Sequence, residues 1–248
     1  MFLPPFLIDF DRAAFLTLNH GMKSHLLDLV MPALTDIGLG YIQAIAVILT
    51  AIYLEVKTGE IRWDSSIRSL PTAIRTHRSW VGPLIAAVVI GGIGAGLIKR
   101  AIPGDRPWWY YDNEHKAGRQ LNVEVYTVEG TYPMKVRRFP SGHTTTSVAM
   151  AMVVTILWRR KHVGLWAAVT LWIGAVVVAL SRIYLASHWP LDIAGGIVLG
   201  FGSGFLAVKW CENWASKRKG AGFDDELCPQ DMDTERLHRD AILGTMAH

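Results

Sequence analysis

The chain has 248 residues, 51% of them hydrophobic and 19% charged, and a mean hydropathy of +0.25, so it is long enough for one sizeable domain. Its formal net charge of +4 is mild, and no Lys/Arg-rich run interleaved with aromatics offers a nucleic-acid groove, which excludes nucleic acid as a partner. The two cysteines, Cys211 and Cys228, match no zinc spacing and leave a disulfide open.

The apolar residues fall in blocks and the charged ones between them, the layout of a membrane protein. The first residues, 1–11, lack a basic region and carry Asp9 and Asp11, which argues against a cleaved signal peptide. Segment 2–18 is apolar but interrupted by Asp9, Asp11 and Arg12, with Phe6, Phe10 and Leu18 available for one face. It is expected to lie in the interface as a helix and not to span. Five spans follow, at 29–54, 80–98, 144–158, 163–180 and 193–208. The third and fifth are short, about 15 residues against the ~20 that cross a bilayer.

Small residues crowd the second span (Gly91, Gly92, Gly94, Ala95, Gly96) and the fifth (Gly195, Gly196, Gly200, Gly202, Gly204), which indicates a tight bundle and not a site. Trp80, Trp108, Trp109, Trp158, Trp189 and Trp210 lie near block ends, as interfacial rings do, whereas Trp166 and Trp172 are open to a core reading. The expected fold is all-α, a polytopic transmembrane helical bundle of five to six spans with an interfacial N-terminal helix. The membrane-embedded domain covers 1–210, and 211–248 forms a polar, partly disordered cytoplasmic tail.

With five spans, segments 100–143 and 181–192 share one face with the N-terminus. The opposite face collects Lys57, Arg62, Arg68, Arg75, Arg78, Arg159, Arg160, Lys161, Lys209, Lys217, Arg218 and Lys219, and the positive-inside rule makes it cytoplasmic.

The rare polar clusters all meet the other face. They are Lys99 with Arg106-Pro107, then Phe139-Pro140-Ser141-Gly142-His143 ahead of the third span, then Ser181-Arg182 and His188-Trp189-Pro190-Leu191-Asp192 entering the fifth. Two arginines, a lysine, two histidines and a carboxylate on one rim suit a multiply charged anion undergoing displacement, and a phosphoryl group fits. Arg presents a planar fork to its oxygens and Lys a mobile charge. The Ser141-Gly142 turn is expected to aim backbone N–H groups and a helix's positive end at the same oxygens. Asp192 lies four residues after His188, one helical turn away, so its carboxylate can fix the imidazole tautomer and free the other nitrogen to attack phosphorus. His143 is then the acid that protonates the departing oxygen. For Asp36 and Arg100, structural or snorkelling roles are expected.

These three segments, in this order and spacing, resemble the signature of the type-2 phosphatidic-acid phosphatase superfamily. The signature covers Lys99 to Asp192, and the helical layout extends the resemblance to about residues 9–208. The resemblance implies a helical bundle, no cofactor or metal, and a phosphohistidine intermediate. It implies His188 as nucleophile, His143 as acid and Asp192 as orienter, with Lys99, Arg106, Ser141, Gly142 and Arg182 binding phosphate. It further implies a membrane lipid phosphate as substrate (phosphatidylglycerophosphate, phosphatidate, undecaprenyl diphosphate or lipid A), and a place in a bacterial inner membrane with the site facing the periplasm or cell exterior. Many membrane members have six spans, against the five plus an N-terminal segment counted here. A lipid phosphotransferase using the same phosphohistidine, a non-catalytic lipid-phosphate binder or transporter, and a vanadate-loaded peroxidase stand as alternatives.

Overall fold

The computed structural model describes residues 4–58, 77–117, 124–131, 134–160 and 163–220. Over these residues the chain folds as helices α1 (Pro5–Gly21), α2 (His25–Asp36), α3 (Gly40–Thr58), α4 (Arg78–Ala101), α5 (Pro107–Lys116), α6 (Gly142–Arg159), α7 (Leu165–Tyr184) and α8 (Pro190–Gly220). No β-ladder forms among the described residues; Asp105 and Val136 make one isolated antiparallel bridge. The protein is the expected all-α polytopic bundle. Four helices are long and apolar enough to cross a membrane, at Gly40–Lys57, Ser79–Ala101, Leu165–Tyr184 and Pro190–Lys217.

At the centre stands α6, packed against α4, α7 and α8. It is less apolar than its neighbours because its first turns carry Thr144, Thr145, Thr146 and Ser147, all buried. Buried hydroxyls need partners, and each has one. Thr144 Oγ1 donates to Ser141 Oγ (2.9 Å), Thr145 Oγ1 to the Ser141 carbonyl (2.9 Å) and Thr146 Oγ1 to the Gly38 carbonyl (2.9 Å), while Ser147 Oγ accepts from Gln43 Nε2 (2.9 Å). The lower half of α6 joins the main apolar core through Val153, Val154 and Leu157, with Val81, Leu84 and Ala87 of α4 and Ala207 and Val208 of α8.

The glycines of the last span serve close approach. A Cβ at Gly196, Gly200 or Gly204 would lie 2.8, 2.7 and 2.7 Å from the carbonyl oxygens of Ser141, Thr145 and Ala149. Each partner is one turn further along α6, so the backbones of α6 and α8 run in contact over three turns. That contact ends at Ser141, which places the start of α8 beside the start of α6.

Three expectations need correction. The first span, 29–54, is two helices: α2 ends at Asp36, a turn with Gly38 N–H on the Thr35 carbonyl (3.0 Å) and Leu39 N–H on the Asp36 carbonyl (2.9 Å) interrupts the helix, and α3 starts at Gly40. Hydropathy runs through the corner without a break, so periodicity hides it. The corner is tucked into the bundle, where a Cβ at Gly38 would lie 2.5 Å from Val178 Cγ1 and 2.9 Å from His143 Cβ. Trp189 is no interfacial anchor; it is 3% exposed and packs on Phe15 at a ring-centroid distance of 5.2 Å. Trp166, open to a core reading, is 80% exposed at the first turn of α7, where an interfacial ring belongs.

The final helix also outruns the expected span, continuing to Gly220 with Glu212 held by Arg160 and by Lys209 (3.1 Å). The rest of the expected tail, 221–248 with Cys228, and the basic residues Arg62, Arg68, Arg75 and Lys161 lie outside the described residues.

The N-terminal helix packs across the ends of α7 and α8, with Phe6 and Phe10 exposed and Phe15, Asp11 and Asn19 buried. Asn19 Nδ2 donates to the carbonyls of Ile183 (3.2 Å), Tyr184 (3.0 Å) and Tyr126 (3.1 Å), and its Oδ1 accepts the Tyr126 N–H (2.9 Å). It therefore lies at the end of the bundle that carries the signature segments.

Gly200→Val in detergent should lower the unfolding midpoint, by the roughly 1–3 kcal/mol typical of overpacking. Gly202→Ala, whose Cβ meets nothing within 4 Å, should leave it unchanged or raise it through helix propensity, worth about 1 kcal/mol at most. Equal losses in both variants would contradict a packing role specific to the α6–α8 contact.

Candidate active site

The site is assembled where five helix ends meet. Lys99 stands in the last turn of α4, and Arg106 is the residue before Pro107 opens α5. A proline at a first helical position forfeits no hydrogen bond and keeps the preceding residue extended. The Arg106 N–H donates to the Lys135 carbonyl at 3.1 Å, joining the first signature segment to the approach of the second.

At the second segment the Phe139–Pro140 bond is cis, and Ser141 caps α6, its Oγ accepting the Thr144 N–H at 3.5 Å. The Ser141 N–H donates to the Asp192 carbonyl at 3.0 Å, tying the start of α6 to α8. This corrects the expectation that the Ser141 N–H faces phosphate. The N–H groups of Gly142 and His143, in the first turn of α6, have no intrahelical acceptor by helix geometry.

The third segment turns sharply after α7. Ala186 takes a left-handed φ of 49°, and the N–H groups of Ser187 and His188 both return to the Arg182 carbonyl (3.0 and 3.2 Å), a capping arrangement usual for glycine. The turn lifts His188 over the Arg182 turn and lets Pro190 start α8. Two carboxylates then cap α8: Asp192 Oδ2 accepts the Trp189 N–H (3.0 Å), and Asp11 Oδ1, from α1, accepts the Leu191 N–H (2.8 Å).

His188 Nδ1 lies 3.4 Å from Asp192 Oδ2, and the residues are 1% and 0% exposed. Burial, and then the cations Arg182, Arg106 and Lys99 with His143, push the His188 pKa well below its ordinary value. The imidazole is therefore neutral at physiological pH, the form with a free nitrogen lone pair. Arg182, Arg106, Lys99 and His143 thus all act electrostatically on one ring.

Around it, Arg106 and Arg182 are buried while Lys99, Gly142 and His143 are half-buried. A Cβ on Gly142 would lie 3.7 Å from Lys99 Nζ, so the lysine ends over the start of α6. Arg182 Nη1 donates to Thr35 Oγ1 at 2.7 Å. Among the described residues the Nε atoms of both arginines have no hydrogen-bond partner. Buried donors of this kind, on cations gathered at one point, suit an anion.

A family model described as the PAP2 superfamily matches residues 80–216, more than half of the chain and all three segments. The chain belongs to the PAP2 superfamily.

Among curated PAP2-like relatives, it is 31% identical over 123 residues to the lipid A 1-phosphatase of Rhizobium etli, covering 49% of this chain and 47% of that protein. It is 34% identical over 74 residues to the undecaprenyl-diphosphatase BcrC of Bacillus subtilis, covering 30% of this chain and 35% of that one. The chain thus spans half or less of the length of these relatives. The crystal structure of Aquifex aeolicus LpxE superposes with a TM-score of 0.55 at 22% identity, over 79% of this chain and 93% of that one. The PAP2-type phosphatidylglycerolphosphate phosphatase of Bacillus subtilis gives 0.51 at 18%, over 85% and 88%. Both likenesses concern the fold.

All eight residues expected from the sequence converge. The sequence did not single out Thr35, which fixes Arg182, nor Asp11, which caps α8, nor Arg138, whose Nε lies 3.5 Å from Asp192 Oδ1. Asp11 was visible only as a charge within an apolar segment.

Thr35→Val removes the acceptor from Arg182 without changing volume much. Vanadate or phosphate binding, measured by competition or calorimetry, should weaken by about tenfold, since a hydrogen bond to a charged group contributes roughly 1.5–3 kcal/mol. Unchanged anion affinity would show that Thr35 does not hold Arg182 for ligand.

Proposed function

We propose that the protein is a lipid phosphatase that hydrolyses a phosphate monoester or diphosphate on a membrane lipid, without a metal, through a phosphohistidine at His188. The observation that carries this reading is a neutral, buried imidazole backed by a carboxylate and surrounded by Arg106, Arg182 and Lys99. Binding an anion alone gives no use for that arrangement, because a neutral ring adds no charge and its pairing with Asp192 directs one nitrogen away from the pocket.

Asp192 accepts the proton on His188 Nδ1, so Nε2 carries the lone pair. Burial, then Arg182, Lys99 and Arg106, hold the His143 pKa down to about 3 without a ligand; the negative charge of a bound phosphate opposes them, so that His143 takes up a proton as the substrate binds. Nε2 attacks phosphorus as the P–O bond to the lipid breaks, and His143 donates that proton to the departing oxygen. Water then attacks the phosphohistidine, passing a proton to the now-basic His143, and inorganic phosphate leaves with His188 restored. Arg106, Arg182, Lys99 and the N–H groups opening α6 hold the three phosphoryl oxygens and stabilise the charge that grows on them, each such donor contributing roughly 10²–10³ in rate.

Lipid substrates fit a site at the ends of apolar helices, and the relatives described as lipid A and undecaprenyl-diphosphate phosphatases support the class. The excess of Lys and Arg on the far side of the bundle supports a site on the extracytoplasmic face of a bacterial inner membrane.

Purified protein with EDTA should release phosphate from at least one of lipid A, undecaprenyl diphosphate, phosphatidylglycerophosphate and phosphatidate. His188→Ala should reduce release to background, and His143→Ala should lower it by roughly 10²–10⁴-fold, the usual contribution of a general acid. Release that needs added metal, or that persists in His188→Ala, would overturn the mechanism.

The sign of the His188 shift gives a second test. A histidine with a depressed pKa stays neutral as pH falls through 6.5 and is protonated, and disarmed, only below it. Ring ¹⁵N shifts of His188 should therefore remain those of neutral imidazole below pH 6.5 in the ligand-free protein. A midpoint at or above 6.5 would contradict the electrostatic description.

A further inference from the structure

We infer that Arg138 is a positioning residue, which acts on the reaction through Asp192 and touches no part of the substrate; the inference rests on the phosphohistidine reading above. The two oxygens of the buried Asp192 carboxylate have separate surroundings. Oδ2 accepts the Trp189 N–H at 3.0 Å and faces His188 Nδ1 at 3.4 Å. Oδ1 has no hydrogen bond within 3.5 Å among the described residues and meets Arg138 Nε across an ion pair of 3.5 Å. A carboxylate with no exposed surface is costly to keep charged without a cation beside it. A neutral Asp192 could not hold the proton of His188 Nδ1.

The surroundings hold the arginine in that geometry. Its guanidinium carbon lies 5.5 Å from the centroid of the Trp189 ring. On another side the stem lies against Gly104, where a Cβ would fall 3.1, 3.2 and 3.3 Å from Arg138 Nε, Cδ and Cγ. Trp189 is fixed in turn, its Nε1–H donating to the Asp105 carbonyl at 3.0 Å. The arginine's outer side opens on a cavity of about 130 Å³ that Asp11, Arg12, Asp105 and Tyr110 also line. Neither His188 nor Asp192 lines this cavity.

An arginine that bound the head group would act on KM, whereas one that holds Asp192 acts on kcat. With the best lipid substrate, Arg138→Ala should lower kcat by roughly 10–100-fold, as the loss of an outer partner of a catalytic group does, and leave KM within about twofold. Arg138→Lys should recover part of the loss. Because the truncated side chain adds space to an existing cavity, millimolar guanidinium should also raise the activity of Arg138→Ala, and urea at equal concentration should not. The double variant Arg138→Ala/Asp192→Asn should be no slower than Asp192→Asn alone, since residues that act as one unit are not additive.

A kcat within twofold of wild type in Arg138→Ala overturns the inference, as does a rise in KM with kcat unchanged, or a full additive loss in the double variant. Should Arg138→Ala fail to fold, the comparison is made with Arg138→Lys and Arg138→Gln, and equal activity in these two overturns it as well. His188→Ala is assayed alongside: if it retains activity, the phosphohistidine reading falls and takes this role with it. If His188→Ala is inert while Arg138→Ala is unimpaired, only the role of Arg138 falls.

Discussion

Everything at the site depends on holding three cations around one buried neutral imidazole. Lys99, Arg106 and Arg182 repel one another, and taking them out of water is unfavourable unless their donors are matched. The fold meets this constraint from outside the signature. Thr35 at the end of α2 accepts from Arg182, and Asp36 beside it adds an opposing charge. Asp192 acts in the same sense on Arg106, opposing the effect of its burial. The α2–α3 corner is thus more than a connection, since it brings these acceptors against the end of α7. An anion that neutralises the remaining donors is then attracted by geometry already in place, which is the preorganisation that phosphoryl transfer needs.

The backbone of the site is fixed by packing some distance away. Contact between α6 and α8 along Gly196, Gly200 and Gly204 sets the height of Ser141 relative to Asp192, and the bond from Ser141 N–H to the Asp192 carbonyl closes that contact at the site. The polar first turns of α6 have the same logic. Hydroxyls at Thr144, Thr145 and Thr146 turn inward to backbone carbonyls and to the cap, so a helix that enters the site can be buried on all sides with its donors satisfied. Apolar substitutes would suit the bilayer better but would leave the Gly38 carbonyl at the corner without its donor.

Much of this was legible in the sequence, for reasons that also set its limit. The eight signature residues were picked out by residue type and by the one-turn spacing of His188 and Asp192, and the structure brings them together at one end of the bundle. The spans were found because lipid demands long apolar helices. What could not be read were contacts between segments far apart in the chain. Asp11 and Leu191 are separated by 180 positions and Arg182 and Thr35 by 147, and neither pair leaves a periodic trace. The break at Gly38 was hidden because α2 and α3 are both apolar. Trp189 was misplaced because a ring beside a proline at a span's edge looks interfacial, and residues distant in the chain, Phe15 from α1 and Tyr110 and Tyr111 from α5, pack on it.

The N-terminal segment is where these strands of argument join. Its composition suits an interface, with Phe6 and Phe10 outward, yet it reaches the start of α8 through Asp11 and the end of α7 through Asn19. The family match begins at residue 80, after α1, α2 and α3, whereas the superposition on Aquifex aeolicus LpxE covers 79% of the chain and so extends beyond the matched residues. Asn19 also binds the backbone of Tyr126, whose hydroxyl shares Asp28 Oδ1 with that of Tyr184, each at 2.5 Å. Tyr126, in the described stretch 124–131, is thereby fastened to α1, α2 and α7 together. The end of the bundle that carries the three signature segments is thus bordered by α1, α2 and residues 124–131, pieces far apart in the chain. Substitutions in these bordering pieces can therefore change the surroundings of the three segments while the contacts within them keep their geometry.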